Sequence, residues 1–377
     1  MICECNPLHG GHRHLLRRMR EGGADAVVCV MSGDFVQRGE AAIVDCRTRA
    51  QILLDGGADL VFELPFPFCS SGADFFARAG VSILSRLGVD ELWFGSECGE
   101  LDRLSRLAHI AESEVFQEAY AGTARSEGGT AQQYVALLQG MEKSDRPLSS
   151  NDLLGISYLR AILSQKSTLT PHTVKREGSG YLDTSVKAGE YPSATALRAL
   201  LKDGGVEAAR DYLTSSCARS LKNAFDEGRA PADLAYAERL ILGAFRLMPK
   251  ERTERIAELS GGLGARMCEA SQKATGLSDF LSLSATKKYP ISRLQRGILF
   301  ALTEIAPEDL KCAPAYSRLL AANENGYAFL ASIRKTAAIP IVTRASDYPK
   351  TPEAVRQRAW EEKAKSLYAL CCPRLPD

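Results

Sequence analysis

The chain has 377 residues, more than a single hydrophobic core usually serves, so its length predicts two domains. Lys and Arg number 47 against 46 Asp and Glu; this net charge of +1 neither demands nor excludes a polyanionic partner, and any nucleic-acid surface must be local. Eleven Cys without a C-x-x-C pair or a secretory segment are typical of a reducing cytosol, and no apolar run reaches membrane-spanning length. We therefore expect a cytoplasmic protein without a membrane partner.

Strand and helix signals alternate through the first 205 residues. Met1–Glu4 is typical of the end of a buried strand, which indicates that earlier strand residues lie upstream of Met1. Apolar runs predict strands at DAVVCVMSG, DLVFELP, DELWFGSE and HTVKRE. Helical periodicity appears in HRHLLRRMREG, TRAQILLDGGA, GADFFARAGVSILSRLGV, NDLLGISYLRAILSQ and SATALRALL. Because strands alternate with helices, residues 1–205 are predicted to form an α/β domain with a doubly wound parallel sheet.

The strand signal nearly vanishes after Gly204 and Gly205. Periodic helices replace it in AARDYLTSSCARSLKNAF, DLAYAERLILGAFRLM and SRLQRGILFALTEI, so residues 206–377 are predicted to form a second, mostly α-helical domain. AIPIVTRAS is an exception, since it is typical of a lone strand or extended segment. The sequence leaves open whether this segment joins the first sheet.

The segment CNPLHGGH places two of the five histidines, His9 and His12, around paired glycines at the end of the first strand. Glycine-rich turns at the carboxyl ends of strands let backbone N–H groups and a helix N-terminus face a phosphate, and imidazoles there stabilise charge that develops on phosphorus. Two other interpretations stay open at this point: a metal site that adds Cys3 and Cys5, and a turn without function. A buried strand rarely frees two thiolates, which argues against the metal.

The HGGH segment resembles the HxGH signature of the nucleotidylyltransferase superfamily, which includes the class I aminoacyl-tRNA synthetases. The blocks ECNPLHGGH, MSGDFVQRGEAAIVD, DLVFELPFPF, LWFGSE and NDLLGISYL resemble, in the same order, those of the tRNA(Met) cytidine acetate ligase family. TKKYPISRLQRGILFAL and NENGYAFLASIRKTAAIPIVT extend the resemblance over essentially the whole chain. Cys5, Leu8, Gly11 and Asp34 depart from the family's usual Tyr, Phe, Asn and Asn.

The resemblance implies a HIGH-type, Rossmann-like catalytic domain followed by a helical tRNA-binding domain. It implies an ATP-dependent ligase that activates acetate as acetyl-AMP and transfers the acetyl group to N4 of the wobble cytidine of elongator tRNA(Met), with Mg²⁺ on the triphosphate. One alternative is a small-molecule nucleotidylyltransferase, which needs no basic helical domain. Another is a non-catalytic protein that binds ATP and RNA, although His9, His12, Ser193 and Arg198 are all present and argue against it.

The same resemblance assigns residues to the nucleotide. His9 and His12 are expected to act on the α-phosphate, and YPSATALR resembles the superfamily's second signature, in which Ser193, Thr195 and Arg198 hold the β- and γ-phosphates. Ser193 is also a good N-cap, and Asn151 either reads the nucleotide or caps a helix. The complete implied ATP site consists of Ile2, Cys3, Glu4, Cys5, Asn6, Pro7, Leu8, His9, Gly10, Gly11, His12, Arg13, His14, Leu15, Gly95, Asn151, Lys175, Arg176, Ser193, Thr195 and Arg198.

The densest basic cluster in the second half is predicted to hold tRNA phosphates; it consists of Lys287, Lys288, Arg293 and Arg296. Tyr289 lies beside it, and the two arginines, three residues apart, share a helix face. A solvated helix face is the alternative interpretation.

The loop after the second strand contains two charged residues whose roles the sequence does not decide. Arg38 is a candidate ligand of acetate or of the tRNA backbone. Asp34 near a triphosphate costs Coulomb energy unless Mg²⁺ or Arg38 offsets its charge.

Overall fold

The structure of the protein, a computed structural model, describes residues 1–127, 131–176 and 192–375. Glu177 of the predicted strand HTVKRE and Tyr191 of YPSATALR lie outside these residues. The described chain contains seven strands: β1 (Ile2–Cys3), β2 (Val28–Ser32), β3 (Leu60–Leu64), β4 (Glu91–Ser96), β5 (Thr170–Lys175), β6 (Ser317–Ala322) and β7 (Ile341–Val342).

Helices connect and cover these strands, as the periodicity predicts. None of the described helices is long and apolar enough to cross a membrane. Their bounds are α1 (Gly10–Glu21), α2 (Cys46–Asp55), α3 (Ala73–Leu87), α4 (Leu101–Glu112), α5 (Glu114–Glu127), α6 (Ala131–Glu142), α7 (Ser150–Ser164), α8 (Ala194–Ala208), α9 (Ser215–Asp226), α10 (Glu238–Leu247), α11 (Lys250–Thr253), α12 (Leu263–Lys273), α13 (Leu277–Ser284), α14 (Ile291–Thr303), α15 (Glu324–Ile333) and α16 (Pro352–Ala369).

The strand order places a topological switch point at β1. β1, β2 and β3 are adjacent and parallel in a five-stranded sheet of which β1 is one edge, and β4, which pairs in parallel with β5 in a separate two-stranded sheet, contacts β1. In open α/β sheets, ligands bind outside the carboxyl ends of the strands at such a point. The α/β fold predicted from the sequence is confirmed, and the HGGH turn lies where this rule expects the ligand.

The second half of the chain returns to the sheet. β6 pairs with β3 in antiparallel orientation, and β7, which is part of the AIPIVTRAS segment, pairs in parallel with β6. The sheet is therefore mixed and not wholly parallel. Gly205 has non-helical backbone angles (φ 66°, ψ −163°) and kinks α8 close to the expected domain boundary. The division into 1–205 and 206–377 stays a prediction.

Apolar side chains bury both faces of the sheet, as continuous apolar strands predict. On one face, Cys29, Met31 and Val61 pack with side chains of α1, α2, α8 and α9. On the other face, Val30 and Phe62 pack with side chains of α3, α7 and α14. These two cores fix the starts of α1 and α8 at the carboxyl edge of the strands.

Candidate active site

Helix α1 begins directly after the HGGH turn. His9 is its N-cap, with an extended backbone (φ −134°, ψ 174°), and Nδ1 of His9 accepts a hydrogen bond from the Gly11 N–H at 3.0 Å. An imidazole that accepts through Nδ1 carries its proton on Nε2, so His9 keeps one donor for a ligand. A Cβ on Gly11 would lie 2.9 Å from Cε1 of His9. Glycine at this position therefore allows the backbone and the ring to approach each other.

The imidazole rings of His9 and His12 lie together, with centroids 4.0 Å apart. Burial, followed by the charge of Arg176, lowers the pKa of His12 to about 4. Burial also lowers the pKa of His9 well below its usual range, and His12, Arg176 and Arg198 add to this effect. Both imidazoles are therefore neutral at pH 7 in the free protein, and the arrival of a phosphate would raise both pKa values.

Two buried polar atoms at this turn have no hydrogen-bond partner among the described residues, Nδ1 of His12 and Nδ2 of Asn6. The Asn6 amide is nevertheless oriented, because its Oδ1 accepts from the Ile43 N–H at 2.8 Å. An unpaired buried polar group costs roughly 1–3 kcal/mol, and such groups are rare in native structures. A ligand that hydrogen-bonds both atoms would remove this cost, so the residues present fit a phosphate-bearing nucleotide.

The second motif meets the first through Arg198. Ser193 caps α8, and its Oγ accepts a backbone N–H of the first turn at 3.1 Å. Nη1 of Arg198 donates to the carbonyl oxygen of Asn6 at 3.0 Å. Its Nη2 lies 3.4 Å from Oγ1 of Thr195 and 3.5 Å from a carboxylate oxygen of Glu40. Two helix N-termini and a guanidinium thus meet at one turn, an arrangement that favours a polyphosphate.

Strands β4 and β5 end opposite the start of α1 and leave a cleft. At the end of β4, a Cβ on Gly95 would lie 3.2 Å from Cγ of Arg176, so glycine leaves space for this arginine. All of the cleft's lining residues except Val174 are among those expected from the sequence to bind the nucleotide. The cleft is lined by Gly10, Gly11, His12, His14, Leu15, Gly95, Val174, Lys175 and Arg176.

Glu97, which the sequence analysis did not identify, links three side chains of the site. Its carboxylate accepts from Nδ2 of Asn151 at 2.6 Å and from Oγ of Ser149, and it lies 3.7 Å from Nε of Arg176. The N-cap of α7 is Ser149, which forms a capping box with Asp152. Asn151 is therefore oriented by Glu97. A carboxylate near the strand ends of α/β nucleotide sites commonly binds the ribose hydroxyls.

Four residues assigned to the nucleotide direct their side chains into the core. Ile2 packs on the face that α3 covers, whereas Cys3, Cys5 and Leu8 pack on the face that α1 and α2 cover. Burial raises the pKa of the Cys5 thiol, which disfavours the thiolate that a metal requires. Among the described residues, no group of three or more His, Cys, Asp or Glu side chains is placed to hold a metal ion. These four side chains support the turn from behind.

The loop between β2 and α2 closes over the end of β1. The Gln37 N–H donates to Oε1 of Glu4 at 3.0 Å, and Oδ1 of Asp34 accepts from the Cys46 N–H at 2.7 Å. Asp34 is thus bound at the N-terminus of α2, where the helix dipole offsets a negative charge. Burial raises the pKa of Glu4, and the charge of Arg198 opposes this rise.

Arg49 is a further residue, not identified from the sequence, that supports the site. It is fully buried, and its guanidinium donates to the carbonyl oxygens of Val44 at 3.0 Å, Glu4 at 2.5 Å, Ser32 at 3.1 Å and Gly33. The planar fork of donors suits several carbonyls at once. Arg49 thereby fixes the carboxyl ends of β1 and β2, on which the active-site turn and loop are built.

The start of α14 packs against the same loop. Gly39 has a left-handed backbone (φ 77°), and a Cβ there would overlap the backbone of Arg296, so this contact requires glycine. Glu4, Gln37 and Gly39 thus connect the HGGH strand to α14. The structure brings the predicted tRNA cluster next to the candidate active site.

The four members of this cluster differ in their surroundings. Lys287 and Lys288 are exposed. Nε of Arg293 and Nε of Arg296 lie 3.4 Å and 2.8 Å from the carboxylate oxygens of Glu258, and the Arg296 side chain is only 14% exposed. Glu258 therefore neutralises much of the positive charge that the sequence shows, and the lysines are the more accessible cations.

Comparison with known proteins shows a family and individual proteins that this chain is similar to. The family described as HIGH Nucleotidyl Transferase matches residues 1–376. The chain is 33% identical to the tRNA(Met) cytidine acetate ligase of Fervidobacterium nodosum, over 98% of this chain and 90% of that protein. It is 34% identical to the tRNA(Met) cytidine acetate ligase of Caldanaerobacter subterraneus subsp. tengcongensis, over 98% of this chain and 94% of that protein.

Two crystal structures share the fold. Apo Thermotoga maritima TmcAL superposes with a TM-score of 0.91 at 31% identity, covering 99% of this chain and 94% of that one. The same protein bound with alpha-thio ATP superposes with a TM-score of 0.90 at 30% identity and the same coverage. A protein with this fold thus binds an ATP analogue.

Proposed function

The chain belongs to the HIGH nucleotidyl transferase family and, within it, to the tRNA(Met) cytidine acetate ligases, and we propose that it acetylates the wobble cytidine of elongator tRNA(Met). The proposed reaction uses ATP to convert acetate into acetyl-AMP and transfers the acetyl group to the N4 amine. The observation that carries the proposal is the pair of neutral histidines, His9 buried and His12 half-buried, with ring centroids 4.0 Å apart at the start of α1 and Arg198 bound to the same turn.

The first step forms the mixed anhydride. A carboxylate oxygen of acetate attacks the α-phosphorus of ATP, the bond between this phosphorus and the β-phosphate oxygen breaks, and pyrophosphate leaves with the Mg²⁺ that entered on the triphosphate. His9 and His12 donate to the α-phosphate oxygens as negative charge builds there, and the N-terminus of α1 adds backbone N–H groups. Ser193, Thr195 and Arg198 hold the β- and γ-phosphates.

The second step uses the activated carbonyl in the same site. The N4 lone pair of cytidine attacks the acetyl carbon, the bond between this carbon and the phosphate oxygen breaks, and AMP leaves. The nitrogen gives its proton to solvent. No covalent bond to the enzyme is required, and the effective concentration of the two bound substrates supplies much of the acceleration.

The test is direct. The protein is incubated with ATP, labelled acetate and a transcript of elongator tRNA(Met), the RNA is digested to nucleosides, and label is sought in N4-acetylcytidine. A transcript with uridine at the wobble position is the matched control and should stay unlabelled. Transfer of AMP to a small molecule, without acetylation of RNA, would contradict the proposal and favour a small-molecule nucleotidylyltransferase.

ATP is expected to bind with net proton uptake at pH 5–6. The pKa of His12 is about 4 in the free protein, and a bound phosphate raises it, so affinity increases as pH falls from the bound-state pKa toward the free-state pKa. Calorimetry in two buffers of different ionisation enthalpy, at saturating Mg²⁺, measures this uptake. The control is His12→Asn, because protonation of ATP itself contributes equally to the uptake measured with the wild-type protein and with this variant. Equal uptake by the two proteins would exclude His12 as its source.

The lysines of the predicted tRNA cluster provide a clean test, because changing Arg293 or Arg296 to Glu would place a second carboxylate against Glu258. Lys287→Glu combined with Lys288→Glu is expected to weaken tRNA binding on the order of tenfold at 0.1 M salt and to flatten its salt dependence. Acetyl-AMP formation without tRNA should persist. Unchanged affinity and slope would make this cluster a solvated helix face.

A further inference from the structure

We infer that the exposed basic face of α1, formed by Arg13, Arg17 and Arg18, binds the phosphate backbone of the RNA next to the target cytidine. This inference rests on the proposed function and adds a surface that the sequence analysis did not assign to RNA. The first observation that supports it is the charge of α1. The twelve residues of α1 include four arginines and one carboxylate, that of Glu21.

Helix stability does not account for all of these cations. Arg18 and Arg20 lie in the last turn, where the helix dipole favours positive charge. Arg13 lies near the N-terminus, where the helix dipole disfavours a cation. It is exposed and forms no ion pair with another described residue. An anion at this end of α1 would stabilise Arg13, and the nucleotide and the RNA are the anions that the proposed reaction brings there.

The remaining arginines of α1 differ in how firmly they are held. Arg20 bonds the carboxylate of Asp59 and the carbonyl oxygen of Ala24, so it is part of the fold. The Arg17 and Arg18 side chains are 65% and 51% exposed, and both pair with the half-exposed Glu21, at 3.6 Å and 2.8 Å. Nη2 of Arg17 also lies at hydrogen-bond distance, 3.0 Å, from Nδ1 of His14. Exposed pairs of this kind contribute little to stability, so a phosphate can compete with Glu21 for both arginines.

A groove follows the part of this helix face that carries Arg13 and Arg17, and Arg18 lies outside its lining. The groove has a volume of about 470 Å³, with α1 as one wall and the turn after α2 as the other. That opposite wall includes Gly56 and Gly57, and no atom lies within 4 Å of a Cβ placed on Gly57. The wall opposite these arginines combines this glycine backbone with Asp59, whose carboxylate is already paired with Arg20, and leaves room for a sugar-phosphate chain.

The groove also lies in the right place for the reaction. It starts at Gly10, the first residue of α1, beside the histidines where acetyl-AMP is expected to form. At a rise of 1.5 Å per residue, Arg17 and Arg18 are about 10–12 Å along the axis from Gly10. Phosphates flanking a cytidine inserted at the histidines therefore fall within reach of these arginines.

The test uses the full chain with Arg17→Gln combined with Arg18→Gln, which removes two exposed charges and no buried contact. We expect tRNA affinity to fall on the order of tenfold at 0.1 M salt and the log–log salt slope to fall by about 0.7 to 0.9 for each lost phosphate contact. Glu21→Gln tests the opposite change, since it removes the carboxylate that pairs with Arg17 and Arg18. Because it frees both arginines, it should raise tRNA affinity several-fold. Arg78→Gln combined with Arg106→Gln, two exposed arginines on α3 and α4, is the matched control.

Three measurements separate the outcomes: tRNA binding against salt, acetyl-AMP formation without tRNA, and acetyl transfer. Unchanged affinity and slope in the double variant of α1, or no gain from Glu21→Gln, would overturn the inference. Equal losses in the control pair would show a general charge effect and would also overturn it. Failure of the wild-type chain to acetylate tRNA would refute the proposed function, and the binding arms would still decide whether α1 holds RNA.

Discussion

Replacement of His12 by alanine is expected to lower acetyl-AMP formation on the order of 10²-fold or more while changing ATP affinity little. The His12 ring is neutral in the free protein and lies 4.0 Å from that of His9, so it serves as a placed donor and not as a fixed positive charge. Its hydrogen bond is strongest when negative charge builds at the α-phosphorus. Removing it therefore affects the transition state more than the bound substrate.

Acetate-dependent exchange of pyrophosphate into ATP measures this step without tRNA, and calorimetry measures ATP binding separately. His109→Ala is the matched control, because His109 is an exposed histidine on α4. Near-normal exchange by His12→Ala would remove His12 from the catalytic residues. A loss of ATP affinity as large as the loss of rate would instead assign it to ground-state binding.

The strands and helices that position these histidines could be predicted because their apolar patterns are strong. VVCVM, LVFEL and the periodic helices between them are buried as their spacing indicates. β6 was missed because SRLLAA mixes polar and small residues and has only a partly buried pattern. Its place in the sheet depends on long-range contacts: Oγ of Ser317 donates to the carbonyl oxygen of Glu63 at 3.0 Å, and Arg318 binds the Glu63 carboxylate. A local sequence pattern does not identify a partner that is so distant in the sequence.

The candidate site likewise contains residues that the sequence indicates and residues that it does not. His9, His12, Ser193 and Arg198 lie in motifs whose spacing is fixed by a turn and a helix start, so the sequence indicates them. Glu97 binds Asn151, 54 positions away, and one of the partners of Arg49 is the carbonyl oxygen of Glu4, 45 positions away, so local spacing does not indicate either residue. Residue type alone also overestimates the net positive charge of the predicted tRNA cluster, because Glu258, which pairs with its two arginines, is distant from them in sequence.

The last prediction concerns Arg198, whose side chain connects the start of α8 to the HGGH turn. Arg198→Ala is expected to lower kcat/KM for acetyl-AMP formation on the order of 10²-fold, with an increase in KM for ATP, because the guanidinium binds phosphate in the ground state as well as in the transition state. The side chain is 13% exposed and also holds the carbonyl oxygen of Asn6, so part of the loss would come from a displaced turn.

Arg198→Lys separates these two contributions. Lysine keeps the positive charge but cannot bond the Asn6 carbonyl and a phosphate with one planar fork. If charge dominates, Arg198→Lys should recover most of the activity, whereas if the fork dominates, it should stay close to Arg198→Ala. Glu40→Gln removes the carboxylate that lies 3.5 Å from Arg198 and should tighten ATP binding, because one anion that competes for the guanidinium is then removed. Unchanged ATP affinity in both Arg198→Ala and Glu40→Gln would exclude Arg198 from the triphosphate site and leave it a structural link between α8 and the HGGH turn.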